Sequence, residues 1–410
     1  MNLLVVTQYY RPEIFRINDL VAALRDRGHA VTVLTGQPNY LGGQHYPGYG
    51  WVRPWREDDD GVRVLRCPLV PRGRGGGLRL AINYLSFALI ASVLVPFRCR
   101  ERFDAIFVYE PSPITVALPA LVAKAVTGAP VVLWVLDLWP DSVAAAGGVR
   151  SARVLAAIDR LVRFIYRHCD RVLVQSRAFI PRVQCQGVSD AQIGYFPSWA
   201  DFVEPSAVLP LPALPAGFKV MFTGNIGVAQ DFGTILNAAE RLATHPDLHW
   251  IIVGDGRQAD WVRAEVSRRG LERCFHLVGS FPLEAVPALL AQADAALVTL
   301  KSNPIFALTI PAKIQTYLSC GCALVGALDG EPARVVTESG AGRVGPAEDA
   351  RALADNVAAL YRMSPAERSA LGAAAREYYE HEFERGHLMD RLESILAGAG
   401  VIQSPALSTS

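Results

Sequence analysis

An apolar strand, a turn and an amphipathic helix recur along this chain, break off near residue 200, and begin again at residue 218. The opening "NLLVVTQYYRPEIFRINDLVAALRDRGHAVTVLTG" shows the unit. A strand leads through a loop into a helix with Leu20, Ala23, Leu24 and Arg27 at helical spacing; Gly28 stops it and a second strand follows. Such a unit demands a parallel sheet with a crossover helix. "AIFVY", "PVVLWVL" and "RVLVQS" extend the alternation. Residues 201–217, "DFVEPSAVLPLPALPAG", are proline-rich and aperiodic, so they read as a linker. Then "KVMFTG", "HWIIVGDG", "CFHLVGS", "AALVTL" and "ALVGAL" restart the pattern.

A chain of 410 residues is too long for one core, so two domains follow. The expected class is α/β: two doubly wound, Rossmann-like domains, 1–200 and 218–380, facing across a cleft. Ligands of open α/β sheets bind beyond the carboxyl ends of the strands, which makes that cleft the default site. After Pro365 the pattern is helical to about residue 397. Residues 381–397 are expected to pack back on the first domain, with 398–410 a flexible tail.

The net charge of +1 lacks the basic face of a nucleic-acid binder. Seven scattered cysteines contain no CxxC, and Cys320 and Cys322 have no neighbouring histidine, so zinc is not expected and reduced thiols are. "MNLLVV" enters a strand directly, which predicts no signal peptide.

The stretch "FTGNIGVAQDFG" at 222–233 follows a strand and precedes the helical "ILNAAERLA". Strand, glycine loop and helix outline a phosphate cradle. It has neither the Lys-Ser/Thr of a P-loop nor the G-x-G-x-x-G of a dinucleotide fold. Residues 80–97, "LAINYLSFALIASVLVPF", carry no charge, and Arg72, Arg74, Arg79, Arg98, Arg100 and Arg102 lie around them. Their length reaches the lower limit for crossing about 30 Å of hydrocarbon. Crossing would put strands of one sheet on opposite sides of a membrane, so an interfacial helix over 78–100 is preferred to a core helix.

Taken together, "TGNIGVAQDFGTILNAAERL", "WIIVGDGRQADWVRAE", "FHLVGSFPLEAVPALLAQADAALVTLK", "LTIPAKIQTYLSCG" and "DGEPARVVTESGAG" resemble the nucleotide-sugar half of retaining GT-B glycosyltransferases of family four. The nearest likeness is to the N-acetylfucosamine-type and colanic-acid-type sugar transferases of bacterial surface polysaccharides. "VLDLWPDS" resembles their D-L-W-P-E-S, and "LTGQPNY" their T-G-x-P-N-Y. The resemblance runs from about residue 1 to 395.

It implies transfer of an N-acetylated hexose or deoxyhexose from a UDP-sugar to a polyprenyl-diphosphate-linked acceptor. The work would take place at the cytoplasmic face of the inner membrane, on a peripheral or monotopic enzyme needing no metal. Gly224, Asn225 and Gly227 would approach the diphosphate. Lys313, at a helix start, would neutralise it as it leaves. Asp255 and Gly256 would border the nucleotide and Phe281 the base; Lys301, Thr309, Ile310, Pro311, Gln315 and Thr316 complete the donor set. Many relatives carry Glu, seven residues, Glu before an ACG. Here Leu308 or Thr309 and Thr316 stand there, and Gln315 is read as reaching the ribose. Leu136 replaces a common histidine, and Val228 a common lysine.

Asp137, at a strand end, is expected either near the anomeric carbon or acceptor, or as an N-cap. Glu13, expected to be catalytic, and Arg11 occupy the first loop, where the acceptor or donor phosphate should pass, and Arg11, Asn39, Tyr40, Trp139 and Asp141 are assigned to the acceptor pocket. "DDD" at 58–60 precedes Gly61 and reads as a hairpin turn, not a metal motif. Two alternatives stand beside the transferase: a UDP-sugar 2-epimerase and a non-catalytic UDP-sugar-binding partner. A dehydrogenase is excluded by "TQYYRP" after the first strand.

Overall fold

The computed structural model describes residues 1–51, 54–73, 76–145, 149, 151–200 and 211–399. Most of the expected linker, the end of the chain and Arg74 lie outside them. The chain divides into two compact units, Met1–Phe196 with the chain from Gly386 onward, and Pro197–Arg385.

The first unit is built on β1 (Asn2–Val6), α1 (Arg16–Asp26), β2 (Ala30–Gly36), β3 (Arg56–Asp59), β4 (Val62–Cys67), α2 (Gly77–Arg98), β5 (Ala105–Glu110), α3 (Ala117–Thr127) and β6 (Val131–Val135). It continues through α4 (Asp141–Ala145), α5 (Ala152–His168), β7 (Arg171–Val174), α6 (Ile180–Cys185) and β8 (Ile193–Tyr195). The strand order is β3-β4-β2-β1-β5-β6-β7-β8. All pairs are parallel except β3 with β4. Strands β1, β5 and β6 are buried almost throughout, as continuous aliphatic runs covered on both faces must be.

The β3–β4 hairpin turns through Asp60 and Gly61, at φ 56° and 82°. Its three carboxylates serve three different partners. Asp58 accepts from the Gly61 amide at 2.9 Å, Asp59 pairs with Arg11 at 3.2 Å, and Asp60 pairs with Arg25.

Helix α2 is long and apolar enough to cross a membrane. It connects β4 to β5, two strands of one sheet. Asn83, Phe87, Ala88, Ala91 and Val95 are buried; Leu78, Ile82, Leu85, Leu89, Val93 and Phe97 are exposed. Those six recur every three to four residues and form one outward stripe.

The second unit holds β9 (Phe218–Thr223), α7 (Phe232–Arg241), β10 (Leu248–Val253), α8 (Ala259–Arg268), β11 (Phe275–Gly279), α9 (Val286–Leu290) and β12 (Ala295–Thr299). Then come α10 (Ala312–Ser319), β13 (Leu324–Ala327), α11 (Gly330–Glu338), β14 (Gly342–Gly345), α12 (Ala350–Arg362) and α13 (Pro365–Glu382). Its parallel order, β11-β10-β9-β12-β13-β14, reverses between β9 and β12. The loop after β9 therefore lies at a topological switch point, where such sheets bind ligands.

The helix expected from 365 to 397 is two helices. Phe383 leaves helical geometry at φ −127° and is fully buried, ending α13; α14 (Arg385–Gly398) follows. Within the first unit α14 buries Leu388, Met389, Leu392 and Leu396, and pairs Glu393 with His29 at 2.8 Å.

Candidate functional site

The loop after β9 is braced by the loop after β10. The Gly224 amide donates to the Val253 carbonyl at 2.9 Å and the Ile226 amide to the Asp255 carbonyl at 2.8 Å. The "GDG" glycines are required by that approach. A Cβ on Gly254 would sit 1.9 Å from the Gly224 oxygen, and one on Gly256 would sit 2.3 Å from the Ile226 oxygen. Gly254 also has φ 141°, which a side chain disfavours. Gly254→Ala is expected to lower stability by about 2 kcal/mol or more. An unchanged urea-unfolding midpoint would show that the two loops do not brace each other.

Thr223, Gly224, Asn225, Asp255, Phe281, Lys313 and Thr316 line a cavity of about 470 Å³ in this unit. Ala312 and Lys313 bring the first turn of α10 to its wall, with no acidic residue in that turn. A helix N-terminus presents amide N–H groups and partial positive charge to an anion.

Lys313 places a buried amine at this cavity. Its Nζ is buried and has no hydrogen-bond partner. It stands 3.7 Å above the Phe222 ring centroid. A Cβ placed on Gly224 would be 3.7 Å from that nitrogen, so the lysine faces the bare side of the glycine loop. Burial pushes its pKa down to about 7. One turn further on, the Tyr317 hydroxyl accepts from the Thr223 amide at 2.9 Å, tying α10 to the loop. The structure thus builds a cation with no counter-ion, desolvated and aimed at a glycine turn.

The remaining donor residues distribute unevenly. Gly227 and Gly256 brace or follow the loop without lining the cavity. Helix α7 begins only at Phe232, with Asp231 at its own N-cap, so the nearest helix start is that of α10. Gln315 is corrected: it is buried and donates to the Ser198 carbonyl at 3.2 Å. Helical geometry explains this, since position 315 lies about 200° around the axis from 313. Ile310 belongs to the apolar core of this unit, and Pro311 is the N-cap of α10. The Thr309 hydroxyl donates to the Ile305 carbonyl at 3.2 Å. Lys301 is outside the cavity lining; its amide donates to the Ala229 carbonyl at 2.9 Å. Ser280, Leu283 and Val286 line the cavity and were not singled out from the sequence, although Ser280 lies within the "GSFP" segment.

In the first unit, Asp137 follows β6 and its Oδ2 accepts from the Trp139 indole at 3.1 Å. Burial raises its pKa, while Ser142, Trp139, Ser112 and the Leu138 amide oppose the shift. Helix α4 begins four residues later, so Asp137 is a loop residue at a strand end and not its cap. Glu110, at the end of β5, is fully buried and its pKa is raised well above normal by desolvation and then by Asp137.

Glu13 is buried, and its Oε1 accepts from the Asn39 and Tyr40 amides, each at 2.6 Å. Asn39 is corrected as a contact residue: its side chain is fully buried. It donates to the Gln37 carbonyl at 2.9 Å and accepts from the Arg72 amide and Asn83 at 3.0 and 3.1 Å. Both residues brace the loop that presents Tyr40, over whose ring Arg72 lies at 4.4 Å. Arg11 pairs with Asp59, and Asp141 with Arg182 at 3.8 Å. Among the described residues, no group of three or more His, Cys, Asp or Glu converges as a metal site.

Two largely parallel α/β units, one with a glycine loop and a buried lysine at its switch point, make up the chain. Residues 15–199 match the family described as Glycosyl transferase 4-like domain, and residues 217–363 match Glycosyl transferases group 1. The chain belongs to this glycosyltransferase family.

The putative colanic acid biosynthesis glycosyl transferase WcaI of Escherichia coli is 28% identical over 342 residues, spanning 78% of this chain and 82% of its own. Solved structures share the GT-B fold at low identity. HepE of Anabaena in complex with UDP has TM-score 0.68 at 14% identity, covering 97% of this chain and 100% of its own. WaaG, a glycosyltransferase involved in lipopolysaccharide biosynthesis, has TM-score 0.64 at 13% identity over 97% of this chain and 100% of its own.

Proposed function

We propose that this glycosyltransferase moves a sugar from a UDP-sugar to a polyprenyl-diphosphate-linked acceptor during surface polysaccharide synthesis, with retention at the anomeric carbon. The observation that carries the donor assignment is the unpaired, buried Lys313 nitrogen facing the Gly224 turn. The diphosphate would sit in that cradle. As the bond from the anomeric carbon to the β-phosphate oxygen breaks, charge grows there and Lys313 meets it. The acceptor oxygen forms the new bond, and its proton leaves with the departing diphosphate.

UDP-bound HepE and the polysaccharide name of WcaI support the donor and the setting. The exposed apolar stripe of α2 supports a peripheral or monotopic position on a membrane, which the proposal places at its cytoplasmic face. The reaction is proposed to proceed without a metal, which full activity in EDTA would check.

The test is UDP release from a panel of UDP-sugars, with and without a polyprenyl-diphosphate-sugar acceptor. Release that depends on acceptor, with an axial product bond from an axial donor by NMR, is expected. Conversion of the UDP-sugar to its C2 epimer without acceptor is the epimerase result; binding with neither release nor epimerisation is the outcome for a non-catalytic partner.

Asp137 is assigned to the acceptor or anomeric centre. Asp137→Asn keeps the indole contact through the amide oxygen, so the melting temperature should move little while kcat falls by about 10²-fold or more. A lowered melting temperature with proportionate residual activity would return Asp137 to a structural role.

A further inference from the structure

A second cavity of the first unit, about 1520 Å³, lies beside α2 and is unrelated to the Lys313 cradle. Its floor is α3. Leu118, Leu121, Val122 and Ala125 of that helix line it, at positions i, i+3, i+4 and i+7. The opposite side of α3 is also apolar, with Ala117, Ala120 and Ala123 buried. Only Lys124 and Thr127 of α3 are polar; so apolar a helix belongs inside a protein or against hydrocarbon. Here one side is left open. Phe164 of α5, half exposed, and Ser92 of α2 extend this wall, and Ser189, Ala191, Gln192 and Ala399 face it.

The groove has a charged end. Lys124, Arg167 and Arg171 line it together with Asp170. Lys124 already neutralises Asp170 at 2.7 Å, and the Val131 amide donates to the same oxygen at 2.7 Å. Two arginines are left in excess where the apolar floor stops. Beside it, α2 exposes its own apolar stripe, and no charge interrupts residues 80–97. An exposed apolar surface of this extent marks an interaction site. A lipid calls for hydrocarbon along one wall and cations at one end; the α3 wall with Phe164 supplies the first, and Arg167 and Arg171 the second.

We propose that this groove takes one hydrocarbon chain of an anionic membrane phospholipid, with its phosphate against Arg167 and Arg171. The inference rests on the membrane reading of α2 but is a separate site. Helix α2 would lie on the bilayer, while α3 and α5 would draw a single chain out of it.

The test uses the full chain and vesicles of phosphatidylcholine and phosphatidylglycerol, the latter carrying a photoreactive group at its chain end. Peptide mapping should place labels on 118–125 and Phe164 as well as on α2. Ala125→Glu with Phe164→Glu changes two exposed positions, so folding should hold. It should cut groove labelling at least fivefold while co-sedimentation persists. Labelling confined to α2 in protein that sediments would overturn the groove. If wild type does not sediment, the membrane reading fails; the groove is then read with short-chain photoreactive phosphatidylglycerol as monomers, and no labelling of 118–125 sinks it too. Inorganic phosphate at millimolar concentration should leave the labelling unchanged; full competition would mean an anion site without a chain site. A chain ending at Ala399 should label as wild type does. Labelling only after that truncation would assign the groove to the protein's own C-terminal segment.

Discussion

Lys313→Met should reduce kcat by about 10²–10³-fold, the range found when one preorganised group is removed from a developing oxyanion, and should make the folded protein more stable at pH 7. Both signs follow from one geometry. The Lys313 nitrogen is buried without a partner, so burial lowers its pKa from 10.5 to about 7. The folded pKa lies below the unfolded one. Between about 10.5 and 7 the unfolded chain binds the extra proton, so this group costs stability increasingly as pH falls through that window. Methionine removes the cost and fills the same space over Phe222. A lysine that cost stability and contributed nothing to turnover would be hard to explain; one that meets a diphosphate is not.

Binding adds a further sign. A bound diphosphate favours the charged lysine and raises its pKa. UDP should therefore bind with uptake of up to one proton near pH 8, visible as a dependence of calorimetric enthalpy on buffer ionisation, and affinity should weaken as pH rises above about 7. The Met variant should show neither. Turnover within threefold of wild type, or proton uptake that survives the substitution, would remove Lys313 from the reaction.

The alternation of strand and helix made the two-unit architecture legible because fully buried parallel strands read as near-continuous apolar runs, as β1, β5 and β6 do, with single polar interruptions at Lys219 in β9 and His249 in β10. The break at Phe383 was not legible: an aromatic inside a helical pattern looks like one more apolar position, and only packing shows that it leaves the helix to fill the core. At the site, Gly224 and Lys313 were readable as loop and cation types. What could not be read is that the glycines of "GDG" exist for the loop after β9, since a close approach between segments thirty residues apart leaves no periodic trace. Gln315 failed for a different reason. It sits in the right motif, but a helix advances 100° per residue, and the neighbour of a site residue points elsewhere. Asn39 and Glu13 look like exposed polar loop residues in sequence. Both are consumed by buried hydrogen bonds, which is the commoner fate of a polar group once a loop is packed.

The α2 stripe gives the other large effect expected. Leu85, Leu89 and Val93 are 50%, 64% and 66% exposed and share one face of the helix. In water this stripe costs free energy with nothing gained; against an interface it is buried, at roughly 25 cal/mol per Å². Arg79, Arg98 and Arg100 flank it and add about 1 kcal/mol each where they meet anionic head groups. The apolar part is insensitive to salt and the electrostatic part is screened. Wild type should therefore co-sediment with anionic vesicles, and about 0.5 M salt should release only part of it. Leu85→Glu, Leu89→Glu and Val93→Glu together should reduce co-sedimentation at least tenfold. Because the three positions face outward, the melting temperature should stay within a few degrees. An unfolded triple variant would mean the stripe is covered in the native protein, and a wild type that stays in the supernatant would mean the helix meets no membrane. Activity separates the acceptor class as well. If the acceptor is membrane-bound, the triple variant should lose turnover on vesicle-embedded acceptor and keep it on a short-chain soluble analogue. Equal loss on both would place the defect in the fold of the first unit and not in its docking.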